Sequence, residues 1–227
     1  TDRTTVEKAE KMKVGTCLNP LHTALAVYGC LLGYTSIAAE MGDADLKALV
    51  EHIAAESLPV VEDPGILSPR AFIDEVLHER FPNPAIPDTP QRIAADTSQK
   101  LPVRYGGTLR RYARQSEQAL AGLEFAPLVF AGWCRYLLGV DDRGNAMPVS
   151  PDPMLPQLQA HLKGIEVGRP DSLAGQLRPI LSNAALFGVD LYAAGLGERT
   201  EEMFRDMLAG PGAVRATLHR NCACKQP

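Results

Sequence analysis

Apolar residues recur at intervals of three and four along most of this chain, the spacing that lines one face of an α-helix. Leu21, Leu25, Tyr28 and Leu32 share one such face, and Ala24, Val27 and Leu31 share its neighbour. A segment apolar on two sides predicts a buried, central helix over 21–32, in which Gly29 and Gly33 permit close packing or a kink. Residues 45–56 read as amphipathic, and 60–69 as a loop punctuated by Pro64-Gly65. Ser68-Pro69, followed by Phe72, Val76 and Leu77, opens another helix that ends before Pro82. The pattern returns over 108–120, 127–138, 153–162 and 184–194. Residues 141–145 form a turn, and Gly195-Leu196-Gly197 closes one helix before 198–209 opens the next. No convincing run alternates in the manner of a strand. The expectation is an all-α fold, one multi-helix domain over residues 1–227, with 1–12 as a linker or first helix and 216–227 as a flexible tail.

Composition narrows the setting. With 227 residues, 45% of them hydrophobic, the chain can bury one core, or at most two small ones. A net charge of −4, no wide basic patch and 6% aromatic content argue against nucleic acid. Apolar stretches such as 21–32 are too short to cross a bilayer and no signal-peptide pattern opens the chain, so no membrane partner is expected and the cytoplasm is the default location. Cys17, Cys30, Cys134, Cys222 and Cys224 make no even disulfide framework. Cys222-Ala223-Cys224 with His219 is a poor zinc pattern, because such sites space their cysteines more widely and need further ligands; a frayed, reducible tail is expected there, and no metal.

Two polar constellations interrupt the helical pattern. Asn19-Pro20-Leu21-His22 follows Lys13 and stands at the head of the apolar segment. Asn is a preferred N-cap and Pro a preferred first helical residue, so a helix is expected to start here, with His22 near the positive end of its dipole and therefore neutral. A neutral His, a Lys open to desolvation and an Asn amide suit the handling of a carbonyl or alcohol oxygen without a metal. An ordinary helix cap would also explain Asn-Pro. The second constellation is the polar run 83–100, where Arg92, Asp96 and Lys100 recur every fourth residue and would share a face if the segment is helical. Plain i,i+4 ion pairing accounts for that spacing equally well.

Together the two segments resemble the mannitol dehydrogenase family, the long-chain polyol dehydrogenases that include mannitol 2-dehydrogenases and the fructuronate and tagaturonate reductases. The resemblance covers most of the chain and is sharpest over 11–34 and 83–104. It implies a catalytic group of Lys, Asn and a His three residues further on, which Asn19 and His22 match. The family's lysine lies five residues before the asparagine, where this chain has Val14. Lys13 is therefore assigned to the role across a one-residue insertion absorbed near Gly15, with Lys11 as the alternative. An Arg and a Lys eight residues apart match Arg92 and Lys100, which the resemblance makes substrate-binding.

The resemblance further implies that this chain is the carboxy-terminal substrate domain. A dinucleotide-binding unit needs a glycine-rich turn after a buried strand and an acidic residue about 20 positions later. No such unit is found, and the chain begins without Met in a polar segment. The NAD or NADP cofactor is expected on an N-terminal Rossmann domain absent from this sequence, with a six-carbon polyol or sugar acid as substrate. Two other classes stay open: a helical scaffolding domain of the same shape without catalysis, and a metal-dependent enzyme using His22 with Asp88 and Asp96, for which no paired histidine spacing exists.

Overall fold

The computed structural model describes residues 2–223, and among them the all-α expectation holds. Two isolated bridges, Val140 with Ala146 and Glu166 with Arg169, are the only extended pairings described. Helix α1 (Arg3–Met12) starts at Asp2, whose carboxylate accepts from the Thr5 N–H. It runs without a break through a π-helical segment (Lys13–Leu18) into α2 (Asn19–Leu32), which ends at Gly33 with φ 82°. A side chain at that φ would be strained, which is why Gly is the residue there.

Helix α2 is buried from Leu21 to Leu31 except at His22, so the two apolar faces read from sequence both find partners. After α3 (Ile37–Glu40), helix α4 (Ala44–Ser57) is capped by Asp43, whose carboxylate accepts from the Asp45 and Leu46 N–H groups. Ser68 caps α5 (Pro69–Glu75), which continues as a second π segment (Val76–Arg80), so the helix expected to end before Pro82 does so. Thr89 caps the short α6 (Pro90–Ile93), followed by α7 (Thr97–Arg104).

The helix expected over 108–120 is two: α8 (Gly106–Gln115) and α9 (Glu117–Ala121). Ser116 separates them because its hydroxyl takes the Ala119 N–H and holds its own backbone extended, a local bond that competes with the helix. Helix α10 (Phe125–Tyr136) is buried on every side and packs against α2. Tyr28 donates its hydroxyl to the Leu128 carbonyl at 2.8 Å, and Gly132 makes room for the ring: a Cβ there would stand 2.7 Å from Tyr28 Cζ.

Next come α11 (Leu155–His161), α12 (Arg178–Leu181), α13 (Ala184–Phe187), α14 (Gly197–Met207) and α15 (Ala213–Cys222). The helix expected over 184–194 stops at Phe187, because Gly188 turns left-handed (φ 83°) and the Asp190 carboxylate then captures the Tyr192 and Ala193 N–H groups. Residues 216–222, expected within a tail, are instead helical and packed, with Thr217, Leu218 and Cys222 buried. The Asp142 carboxylate fixes that helix at its start by accepting from the Val214 and Arg215 N–H groups. Cys224, half of the cysteine pair noted in the sequence, lies outside the described residues. His52 is buried and stacked on Phe125, ring centroids 4.1 Å apart. No helix among the described residues is long and apolar enough to cross a membrane.

Candidate functional site

The helix start expected at Asn19 is not there. Leu18 and Asn19 are both αR and the chain is already helical before them, so Asn19 caps nothing and His22 does not sit at a free helix end. What stands in place of the cap is the π segment. A π-helix closes i→i+5 bonds and turns through roughly 80° per residue, against about 100° in an α-helix. The six residues of Lys13–Leu18 therefore rotate the chain about as far as five α-helical residues would. Lys13 is partly exposed, and its ammonium lies over the Phe72 ring, 5.5 Å from the centroid.

Asn19 is half-buried. Its backbone carbonyl accepts the Thr23 hydroxyl at 2.9 Å, and its side-chain amide makes no hydrogen bond among the described residues. His22 stacks on Phe81 with centroids 5.0 Å apart, and its Nε2 lies 3.3 Å from Asp88 Oδ2 without the alignment of a hydrogen bond. Burial drives the His22 pKa down to about 4; Asp88 pulls it up, and Arg104, Arg80 and Arg92 push it further down. The neutral imidazole expected from sequence is thus found, but its cause is burial among guanidinium groups rather than a helix dipole.

The second constellation is also rearranged. Arg92, Asp96 and Lys100 do not form one helical face, because the chain turns between α6 and α7 and Asp96 adopts a left-handed conformation with φ 53°. Arg92 pairs backwards, with Asp88. The Lys100 ammonium donates to the Ile93 carbonyl at 3.1 Å and to the Ala95 carbonyl, tying down that turn. Burial lowers the Lys100 pKa, and the Arg104 charge lowers it further.

Helices α2, α6 and α7, with the segment that leads into α6, thus gather His22, Asp88, Arg92, Lys100 and Arg104 around one end of α2. Sequence reasoning missed Asp88 as the bridge between His22 and Arg92, and it missed Arg104. The signal for Arg104 was available: it follows Lys100 by four residues, one helical turn further along the same face. Arg104 Nη1 donates to Thr23 Oγ1 at 2.6 Å, and the neighbouring Tyr105 hydroxyl donates to the Pro20 carbonyl at 2.7 Å. Both bonds lock α7 to the turn of α2 that carries Asn19 and His22. His22 and Asp88 gain no third metal-ligating side chain, and no group of three or more His, Cys, Asp or Glu suited to a metal occurs among the described residues. A groove of about 780 Å³ opens beside the π segment, lined in part by Lys11, Val14, Gly15, Val103, Arg110 and Arg114; Lys13 is not on its wall.

Residues 5–202 match the family described as mannitol dehydrogenase C-terminal domain. A D-mannonate oxidoreductase of Thermotoga maritima is 57% identical over 96% of this chain, which spans 40% of that protein. A mannitol 2-dehydrogenase of Emericella nidulans is 36% identical over 84% of the chain, 35% of its own length. Among solved structures, the ternary complex of Pseudomonas fluorescens mannitol 2-dehydrogenase with NAD and D-mannitol superposes with a TM-score of 0.78 and 28% identity, covering 100% of this chain and 42% of that one. The chain therefore corresponds to well under half the length of the relatives it matches.

Proposed function

The chain belongs to the mannitol dehydrogenase C-terminal domain family, and from that premise we propose that it is the substrate-side part of an NAD- or NADP-dependent oxidoreductase. The reaction interconverts a secondary alcohol of a six-carbon polyol or aldonate with the corresponding ketose or keto-uronate. The observation that carries this reading is the meeting of the two separated constellations at one end of α2, where a neutral His22 lies one helical turn from the half-buried Asn19.

The cofactor is assigned to an N-terminal domain of the parent, a reading supported by the mannitol 2-dehydrogenase solved with NAD and D-mannitol, of which this chain covers 42%. When bound, the nicotinamide supplies the hydride in reduction and takes it in oxidation. The residues of this chain manage the oxygen. Lys13 donates a proton to it in reduction and accepts one in oxidation. The Asn19 amide donates a hydrogen bond to the developing alkoxide, a kind of donor whose loss costs about 100-fold or more in rate. His22, neutral near pH 7, holds the reacting oxygen or an adjacent hydroxyl. Arg92 and Lys100 line the distal end of the substrate, both held by partners within the chain. The supporting argument for Lys13 is the turn angle: the π segment gives a lysine six residues before Asn19 nearly the orientation that a lysine five residues before would have on an α-helix. A cytoplasmic setting completes the reading.

The test is NADH oxidation by the full-length parent against D-fructuronate, D-tagaturonate and D-fructose, with this chain alone as the control. Turnover of at least one by the parent and none by the chain alone is expected. A parent silent toward all three, and toward their alcohols with NAD or NADP, sinks the proposal.

A further inference from the structure

Three guanidinium groups and one carboxylate act on the His22 ring, so the end of α2 is a cationic site. Its cations are not equally free to meet a ligand. Arg92 is mostly exposed and already paired with Asp88. Lys100 spends its ammonium on the carbonyls of Ile93 and Ala95. Arg80 is exposed at the end of the second π segment. Arg104 differs from all three. It is partly buried, has no carboxylate within salt-bridge distance among the described residues, and uses one of its five donors, on Thr23.

That one bond also fixes where Arg104 points. Arg104 donates to Thr23 Oγ1, and the Thr23 hydroxyl in turn donates to the Asn19 carbonyl, so the guanidinium is braced against the helical turn that carries Asn19 and His22. The next residue, Tyr105, is buried and bonded to the Pro20 carbonyl, which holds the Arg104 backbone to the same turn. A rigid, half-buried planar fork with open donors, next to a neutral imidazole, matches the geometry of a carboxylate and exceeds what a hydroxyl requires.

We propose that Arg104 is a specificity-determining residue that binds the carboxylate of a sugar acid, so that this site takes an aldonate and its keto-uronate in preference to a neutral polyol and its ketose. The inference rests on the dehydrogenase reading for the reaction but not for the binding. In it, Arg92 and Lys100 shape the site and meet hydroxyls, while the charge complement of the acid comes from Arg104.

The test uses the full-length parent, with Arg104→Met and Arg104→Lys. For Arg104→Met, kcat/KM for D-fructuronate is expected to fall about 100-fold, mainly through KM, and that for D-fructose at least about tenfold less, the shared part being the lost brace on Thr23; Arg104→Lys, which keeps the charge without the fork, falls between. Equal losses on both substrates would mark Arg104 as a brace only and overturn the proposal, as would an unchanged rate with D-fructuronate. Calorimetric binding of D-mannonate and D-mannitol to the same proteins gives an answer independent of turnover. Arg104→Met should weaken D-mannonate at least about tenfold more than it weakens D-mannitol. A parent that binds D-mannonate no better than D-mannitol overturns the proposal even if it is an active dehydrogenase, whereas selective D-mannonate binding without turnover upholds Arg104 and removes the dehydrogenase reading.

Discussion

His22 and Asp88 face each other with Nε2 and Oδ2 3.3 Å apart, yet the imidazole stays neutral. Proximity to a carboxylate ordinarily raises a histidine pKa. Here burial outweighs it, and Arg104, Arg80 and Arg92 add to burial, which brings the pKa to about 4. The ring can therefore offer one donor and one acceptor near pH 7, as the handling of a substrate oxygen requires.

The first prediction concerns acid. The folded-state pKa of His22 is depressed from 6.5 to about 4, so between those values the folded chain binds fewer protons than the unfolded one. The stability this group contributes is present above pH 6.5 and is lost as pH falls toward 4. NMR titration should show the His22 ring uncharged at pH 6. Asp88→Asn, which removes the one nearby negative charge, should lower its pKa further. A ring titrating near 6.5 in the intact chain contradicts the burial argument.

The second concerns Lys13. In the full-length parent, Lys13→Ala should reduce turnover by about 100-fold to 10,000-fold, the range for loss of a general acid or base, with cofactor binding unchanged. A near-normal rate would remove Lys13 from the reaction and turn attention to Lys11.

Removing Gly15 tests the π segment directly. A single-residue deletion should let the segment relax into an α-helix while Lys13, five residues before the asparagine, keeps its bearing on Asn19. Turnover within about tenfold of the parent is expected, whereas misplacing the group by about 1 Å could cost 100-fold. Insertion of an alanine after Gly15 serves as the opposing control, and an equal loss from deletion and insertion would refute the turn-angle argument.

A fourth prediction lies away from the site. The Glu40 carboxyl is fully buried, neither oxygen has a hydrogen-bond partner, and burial, with Asp43 adding to it, raises its pKa from 4.5 to about 9. The folded chain thus binds a proton that the unfolded chain releases, so the stability from this group is complete below pH 4.5 and lost as pH rises toward 9. Glu40→Gln should flatten that decline. Denaturant melts at pH 5 and pH 8.5 should show the variant gaining on the parent at the higher pH, and parallel curves would contradict the assignment.

The same carboxyl explains Gly29. A Cβ there would stand 2.6 Å from Glu40 Cδ, so Gly29→Ala should cost about 1–3 kcal/mol as an overpacked core. For a chain of this size each kcal/mol corresponds to about 2–4 °C of Tm. Gly107→Ala, where nothing lies within 4 Å of the added carbon, is the matched control and should be nearly neutral or mildly stabilising.

Periodicity and the Ser68-Pro69 start signal determined the helical class, the central place of α2 and the start of α5, because apolar spacing and a cap act over a few residues and are written locally. The motif residues were legible too, since Asn19, His22, Arg92 and Lys100 stand in the sequence at fixed spacings. Their partners were not. Asn-Pro reads as a helix start in any single sequence, but here the helix is already under way. Whether a segment closes i→i+4 or i→i+5 bonds is decided by what packs on it, so the π segment was invisible to spacing. The regular recurrence of Arg92, Asp96 and Lys100 suggested one face, and a left-handed Asp96 broke it. The encounter of His22 with Asp88 and the bracing of Arg104 on Thr23 join residues far apart in the chain. Only the packing of α6 and α7 against α2 brings them together, and the charge state of His22 follows from the burial and the neighbours which that packing supplies.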